Sequence, residues 1–231
     1  MRAVHMSYRW DFTPVLANAP LLAEGLVNTL KVTGVSLACG LAIGLALALM
    51  RLSHHRFASW PAGFVIEVFR TTPPLVQLFW FFFALPLIVG IEMTPFMAAI
   101  VTFSIQSAAF FAEVFRAGIQ SIERGQWDGA RAIGMTHGQA LQRIILPQAV
   151  KRMIPAFMER AIELMKTTTL VATIAYADLL FEANDISQKT FRPLETFTVV
   201  ALIYFVVIFA VSLLARQLER RLAVSGESTV H

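Results

Sequence analysis

The stretch 153–180 sets Glu159, Arg160, Glu163 and Lys166 into otherwise apolar surroundings. Glu159, Glu163 and Lys166 recur at i, i+4 and i+7, the spacing that puts side chains on one helical face. Two carboxylates and an ammonium on one face can hold the opposite charges of a zwitterion. Charged groups inside an apolar segment are costly and tend to face a cavity or a partner. Gln106 and Ser107 on a second apolar stretch, and Gln77 on a third, are polar candidates for the same cavity. A plainer arrangement stays open: Glu163 and Lys166 pair with each other, Arg160 snorkels, and other residues line the cavity. The aromatic run 79–83 reads as lipid-facing or packing surface rather than a stacking site. Five histidines without zinc-site spacing make no case for a metal.

These residues need elements to carry them, and the composition says which. The chain of 231 residues is 57% hydrophobic and 15% charged, with mean hydropathy +0.65. Soluble domains run at about 45–50% apolar and about 25% charged, so this chain leans toward membrane proteins. A bilayer-spanning helix needs roughly 20 mostly apolar residues. Five stretches qualify: 26–50, 64–89, 95–115, 153–180 and 197–215. The fourth is the weakest, because polar residues punctuate it. The expected class is therefore an all-α integral membrane protein with about five transmembrane helices. The single Cys39 excludes an internal disulfide and argues against redox or zinc chemistry. Residues 1–20 hold Asp11, two prolines and no continuous apolar core, unlike a cleaved signal peptide.

Lysine and arginine set the expected orientation. Eleven of them (Arg51, Arg56, Arg116, Arg124, Arg131, Arg143, Lys151, Arg152, Arg216, Arg220 and Arg221) fall on one side of the five stretches. Four (Arg2, Arg9, Lys189 and Arg192) fall on the other. This places segment 1–20 outside, the connection 116–152 in the cytoplasm, and the tail 223–231 in the cytoplasm beyond the membrane domain 21–222. The basic balance follows this asymmetry rather than a soluble basic face, which argues against nucleic acid.

Within the cytoplasmic connection, 128–149 reads DGARAIGMTHGQALQRIILPQA. A short helical run follows Gly125, and Gly134 is placed to end it in a left-handed cap. Thr136 then opens a second helix, with Gln139 three residues on to close a capping box. Leu141, Ile144 and Ile145 give that helix an apolar face, and Pro147 marks where the next segment begins. On pattern alone this is a helical hairpin of any cytoplasmic kind.

Asp128-Gly129-Ala130, three residues, Gly134, nine residues, then Ile144-x-Leu146-Pro147 resembles the EAA signature of ABC importer permeases, E-A-A-x3-G-x9-I-x-L-P. The spacing matches throughout; Asp128 stands for Glu and Gly129 for Ala. The second exchange loosens the helix by about 1 kcal/mol in propensity. FRTTPPLVQLF at 69–79, AEVFRAGIQSIERGQ at 112–126 and KTTTL at 166–170 are similar to further segments of permeases for polar amino acids, with Thr167 where an Asp is usual. Together these motifs cover most of 20–220 in the right order.

The resemblance implies the permease subunit of a polar amino acid ABC importer of the histidine/glutamine/glutamate type, in a bacterial inner membrane, with the type I importer fold. It implies that Asp128, Gly129, Ala130, Gly134, Ile144, Leu146 and Pro147 build a coupling helix seated on an ATP-binding subunit. The carboxylate of Asp128 would lie near that helix's N-terminus, where the macrodipole favours it. Glu113 and Arg116, which match the family pattern, are expected to form an ion pair tying down the end of the third span. No phosphate-binding G-x-x-x-x-G-K-[ST] loop occurs, so ATP and Mg belong to a partner ATPase dimer and the chain itself holds no cofactor. A second permease, identical or homologous, an extracytoplasmic solute-binding protein and membrane lipid complete the implied partners. The lean in substrate is toward acidic or amide amino acids, with opine-like solutes also open. A secondary carrier would show internal repeats, and a membrane enzyme a nucleophile with its base or a metal cluster; neither pattern is present in the sequence.

Overall fold

The computed structural model describes residues 8–53 and 55–223, with side chains up to 217. The first seven residues, the tail beyond Ala223 and the side chains of Arg220 and Arg221 lie outside that description. After a short helix α1 (Thr13–Ala17) come α2 (Ala19–Leu52), α3 (Arg56–Thr71), α4 (Pro74–Phe79) and α5 (Leu85–Val89). They are followed by α6 (Pro95–Gln120), α7 (Arg124–Ala132), α8 (His137–Ala140), α9 (Leu146–Thr167), α10 (Leu179–Thr190) and α11 (Pro193–Ala223). Among the described residues α2, α6 and α11 are each long and apolar enough to cross a membrane, and the count reaches five when two bent helix pairs are taken as one span each.

α2 and α6 form the centre. The buried positions of α2 include Gly25, Thr29, Thr33, Ser36, Gly40, Gly44 and Ala48, a stripe of small residues at helical spacing. Small residues let two helix backbones approach closely where lipid supplies no hydrophobic drive. A Cβ on Gly40 would stand 2.6 Å from the Ser107 Cβ, and one on Gly44 2.8 Å from the Phe111 Cβ and 2.9 Å from the Ala108 carbonyl oxygen. Val32 of α2 and Phe103 of α6 then share a core with Leu78, Leu164 and Val171.

The expected span 64–89 is not one helix. α3 ends at Thr71, Thr72 and Pro73 are extended, and α4 starts at Pro74 after a 108° bend. Two consecutive prolines remove two N–H donors and push the preceding residue out of the helical region. Gln77 braces the bend: its amide donates to the carbonyls of Phe69 and Thr72, at 3.0 and 2.9 Å. Trp80–Ala84 is a π turn between α4 and α5.

The expected span 153–180 is also interrupted. α9 gives way to a 3-10 turn, Thr168–Ile174, then to left-handed Ala175, and α10 restarts with Asp178 as its cap. The cause lies in the threonines, whose hydroxyls bond back to nearby carbonyls and compete with helical geometry. Thr168 donates to Met165 O, Thr169 to Lys166 O and Thr173 to Leu170 O. α2 holds the break in place: Asn28 donates to Ala177 O, and the Leu179 N–H donates to the Thr29 hydroxyl. At the N-terminal end, buried Glu195 of α11 accepts from the Tyr8 hydroxyl and from the Asp11 N–H, and so ties the segment before α1 to the bundle.

Replacing Gly44 by Val is expected to destabilise the protein by about 1–3 kcal/mol through overpacking. Gly34→Val on the same helix meets nothing within 4 Å and should cost far less. Thermal unfolding of the two variants in detergent checks the contrast.

Candidate functional site

Two places draw the sequence candidates together: a cleft between α6 and α9, and the hairpin made by α7 and α8. α6 turns Gln106, Ser107 and Phe110 toward α9, which answers with Arg160, Glu163 and Thr167; these residues line a narrow cleft. Arg160 forms an ion pair with Glu163 across one turn of α9. Its guanidinium also lies 4.3 Å from the centre of the Phe110 ring, and Arg70 of α3 approaches the same ring at 5.8 Å. A guanidinium over an aromatic face is held by the ring quadrupole, more strongly as water is excluded. The Arg160 and Glu163 side chains keep 34% and 56% of their exposure. An ion pair so open contributes little to stability, which leaves both charges available to an entering ligand.

Gln106 and Glu163 line the same cleft, with Ser107 beside them. The structure leaves three other candidates outside the cleft. Gln77 is buried at the α3–α4 bend, where its amide is committed to the backbone. Glu159 and Lys166 are exposed and do not line the cleft. At about 100° per residue, the lining face is centred on Arg160, Glu163, Leu164 and Thr167, about a quarter turn from the face read from the charges alone. Glu163 pairs with Arg160 rather than Lys166, and Arg160 stacks on Phe110 instead of snorkelling. Phe110 and Arg70 have no part in the sequence reading of the cleft; the i, i+3, i+4, i+7 series starting from Arg160 was the signal for this face. Glu113 and Arg116 do form an i, i+3 pair, and Arg116 also reaches Gln120.

The hairpin follows its local chemistry. α7 starts at Arg124, so Asp128 sits in its second turn, beyond the first turn where the helix dipole acts strongly. The Asp128 carboxylate instead stands 3.7 Å from Arg131, both of them exposed. Gly129 is exposed with open space around it, and Ala130 is buried. Gly134 takes φ +79°, the Gly134 N–H donates to Arg131 O at 2.9 Å, and the Met135 N–H to Ala130 O at 3.0 Å. This double closure is the Schellman cap that needs a residue in the left-handed region. Thr136 and Gln139 complete the capping box. Trp127 stacks on His137 with ring centres 4.9 Å apart, and Ile144 packs beside Ile122, Ile145, Ala149 and Met153.

Pro147 does not open a separate segment. α8 runs through a π turn, Leu141–Ile145, straight into α9, whose first turn holds Leu146 and Pro147. Within this continuous helix the missing N–H of Pro147 leaves a carbonyl of the preceding turn without its helical donor. The π turn takes up the local mismatch, and Gln148 caps the carbonyl of Ile144 at 3.0 Å. The second arm of the hairpin and the helix bearing Arg160 and Glu163 are thus one continuous rod over 137–167.

Comparison with known proteins gives the same architecture. The family described as binding-protein-dependent transport system inner membrane component matches residues 40–224. The arginine transport system permease protein ArtQ of Bacillus subtilis is 36% identical over 92% of this chain and 97% of its own length. The glutamate/aspartate import permease protein GltK of Escherichia coli is 37% identical over 94% and 100%. A crystal structure of an amino acid ABC transporter with histidines superposes with TM-score 0.88 at 37% identity, covering 93% of this chain and all of that one. The inward-facing MetNI methionine ABC transporter shares the fold at TM-score 0.76 and 21% identity, over 89% and 98%. The all-α fold is that of type I ABC importer permeases. With the match running from residue 40 to residue 224 and its relatives aligned nearly end to end, the chain belongs to the inner-membrane permease family of binding-protein-dependent ABC transport systems.

Proposed function

We propose that this chain carries a polar amino acid into the cytoplasm through the α6–α9 cleft, driven by ATP hydrolysis in a separate subunit docked on the α7–α8 hairpin. One observation carries the reading: the continuous rod over 137–167, with the hairpin at one end and Arg160 and Glu163 at the other. A push on the hairpin reaches the cleft without crossing a loop. Ligand affinity can change between outward- and inward-open states only through different contacts in each, and the rod is the element placed to change them. The names of ArtQ and GltK point to amino acid substrates. The cleft offers a guanidinium for a carboxylate, a carboxylate for an ammonium, and the amide and hydroxyl of Gln106 and Ser107 between them.

In this reading Asp128, Gly129, Ala130 and Gly134 present the docking surface, while Ile144, Leu146 and Pro147 fix it to the bundle. ATP and Mg bind to the partner ATPase dimer. A solute-binding protein delivers substrate from outside, and a second permease, the same or a related chain, completes the passage. The eleven-to-four charge asymmetry supports a hairpin in the cytoplasm, with the N-terminus outside and the C-terminus inside. Gln77, Glu159 and Lys166 lie off the pathway in the state described, with Gln77 serving the bend.

Two substitutions test the two halves of the proposal. Gly134→Val forces a β-branched residue into the left-handed region, at about 1–2 kcal/mol, with no steric clash to confuse the result. Uptake in proteoliposomes of the assembled transporter should fall about tenfold, while ATP hydrolysis persists; uptake at the wild-type rate would overturn the coupling assignment. Glu163→Gln should shift the ratio of charged to neutral amino acid uptake about tenfold, or ~1.4 kcal/mol. Glu159→Gln, outside the cleft, should leave that ratio alone. An unchanged profile in Glu163→Gln would reduce the Arg160–Glu163 pair to a structural role.

A further inference from the structure

The first half of α3 turns a row of large apolar side chains away from the protein. Phe57, Trp60 and Phe64 are 98%, 77% and 68% exposed, and their i, i+3, i+7 spacing puts them on one helical face. The opposite face is seated. Ile66 is buried with Ala48 and Ala112, and the guanidinium of Arg51 donates to the carbonyl and hydroxyl oxygens of Ser59. These contacts fix how α3 lies. From Ser59 to Ile66 the helix advances about 10 Å, while its contacts climb α2 only from Arg51 to Ala48, about 4.5 Å. α3 is therefore seated on the last turns of α2 and on the C-terminal half of α6, and the 108° bend turns the chain into Pro74–Val89.

The same helix carries cations at both ends, with Arg70 in its last turn. Arg51 is held over its first turn and exposed Arg56 opens it, where the free N–H groups of a helix start also favour anions. Glu67, the one acid of α3, lies a turn beyond Phe64 toward the bend. A helix seated near the ends of membrane spans, with an aromatic row outward and cations at its start, has the chemistry of a bilayer interface. Trp and Phe settle at headgroup level, and arginines attract anionic lipid.

We propose that α3 is an interfacial helix that binds anionic phospholipid in the leaflet on the hairpin side. Phe57, Trp60 and Phe64 sit at the acyl boundary and Arg51 and Arg56 on the lipid phosphates. The binding bears on the cleft, because the last turn of α3 carries Arg70 onto the Phe110 ring that Arg160 also faces. Only that last link rests on the substrate reading above.

The test uses the assembled transporter in vesicles of phosphatidylcholine alone or with about a third phosphatidylglycerol, a strongly anionic surface. Depth is read as the fluorescence difference between the wild type and Trp60→Phe, quenched by lipids brominated near the headgroup or by iodide in water. Quenching of the Trp60 signal by the shallow brominated lipids is expected. Quenching by iodide alone, or by neither reagent because a second copy or a partner subunit covers the face, overturns the proposal. Phosphatidylglycerol should raise uptake severalfold in the wild type, and Arg56→Gln should lose most of that gain; an equal gain in both overturns the headgroup contact. The depth measurement needs no transport, so it stands or falls apart from the substrate assignment.

Discussion

The close approach of α2 to α6 at Gly40 and Gly44 is the constraint on which the remaining architecture is hung. With Ser107 and Phe111 pressed against those glycines, the adjoining face of α6, about 100° further round, presents Gln106 and Phe110 to α9, and Ser107 and Phe111 reach the edge of the same cleft. α2 also holds the break before α10 through Asn28 and Thr29, and it receives α3 on its last turns. Side chains any larger on this stripe would lift α6 and move the cleft wall with it. The apolar surface left over, such as Leu202, Phe205 and Phe209 on α11, faces outward, as suits helices whose solvent is lipid.

The breaks in these helices depend on polar exceptions to that apolar rule. Each broken helix has its loose backbone groups taken up by a nearby side chain: Gln77 at the α3–α4 bend, and Asn28, Thr29 and Asp178 at the start of α10. Unpaired backbone groups away from water are costly, so these side chains make the breaks affordable in an apolar setting. The Arg160–Glu163 pair differs from them in remaining open, with a ring rather than a backbone carbonyl as its third partner.

Much of this was legible in the residues. The left-handed Gly134, the Thr136–Gln139 box and the apolar cores of α2, α6 and α11 follow from local rules that tertiary context does not overrule. The bends were hidden because hydropathy counts apolar residues and passes over the backbone: Thr72-Pro73-Pro74 and the threonine series after Lys166 are apolar enough to be read through. The choice of cleft face was hidden for another reason. Charge spacing picks out every face that bears charges, but which one turns inward is set by how α9 packs on α6. Gln77 shows how a buried polar side chain can serve the backbone, since its Nε2 donates to two carbonyls at the bend.

The π turn at Leu141–Ile145 gives the rod a rotational phase as well as a length. An i→i+5 turn winds fewer degrees per residue than an α turn, and over five residues the shortfall approaches the ~100° of one residue. Were that turn to tighten to the α pattern with the hairpin fixed, everything beyond it would rotate forward by nearly that angle. Glu159 and Lys166 would then swing toward the place that Arg160 and Glu163 now hold. Torsion at this one turn would therefore change which charged edge of α9 faces α6.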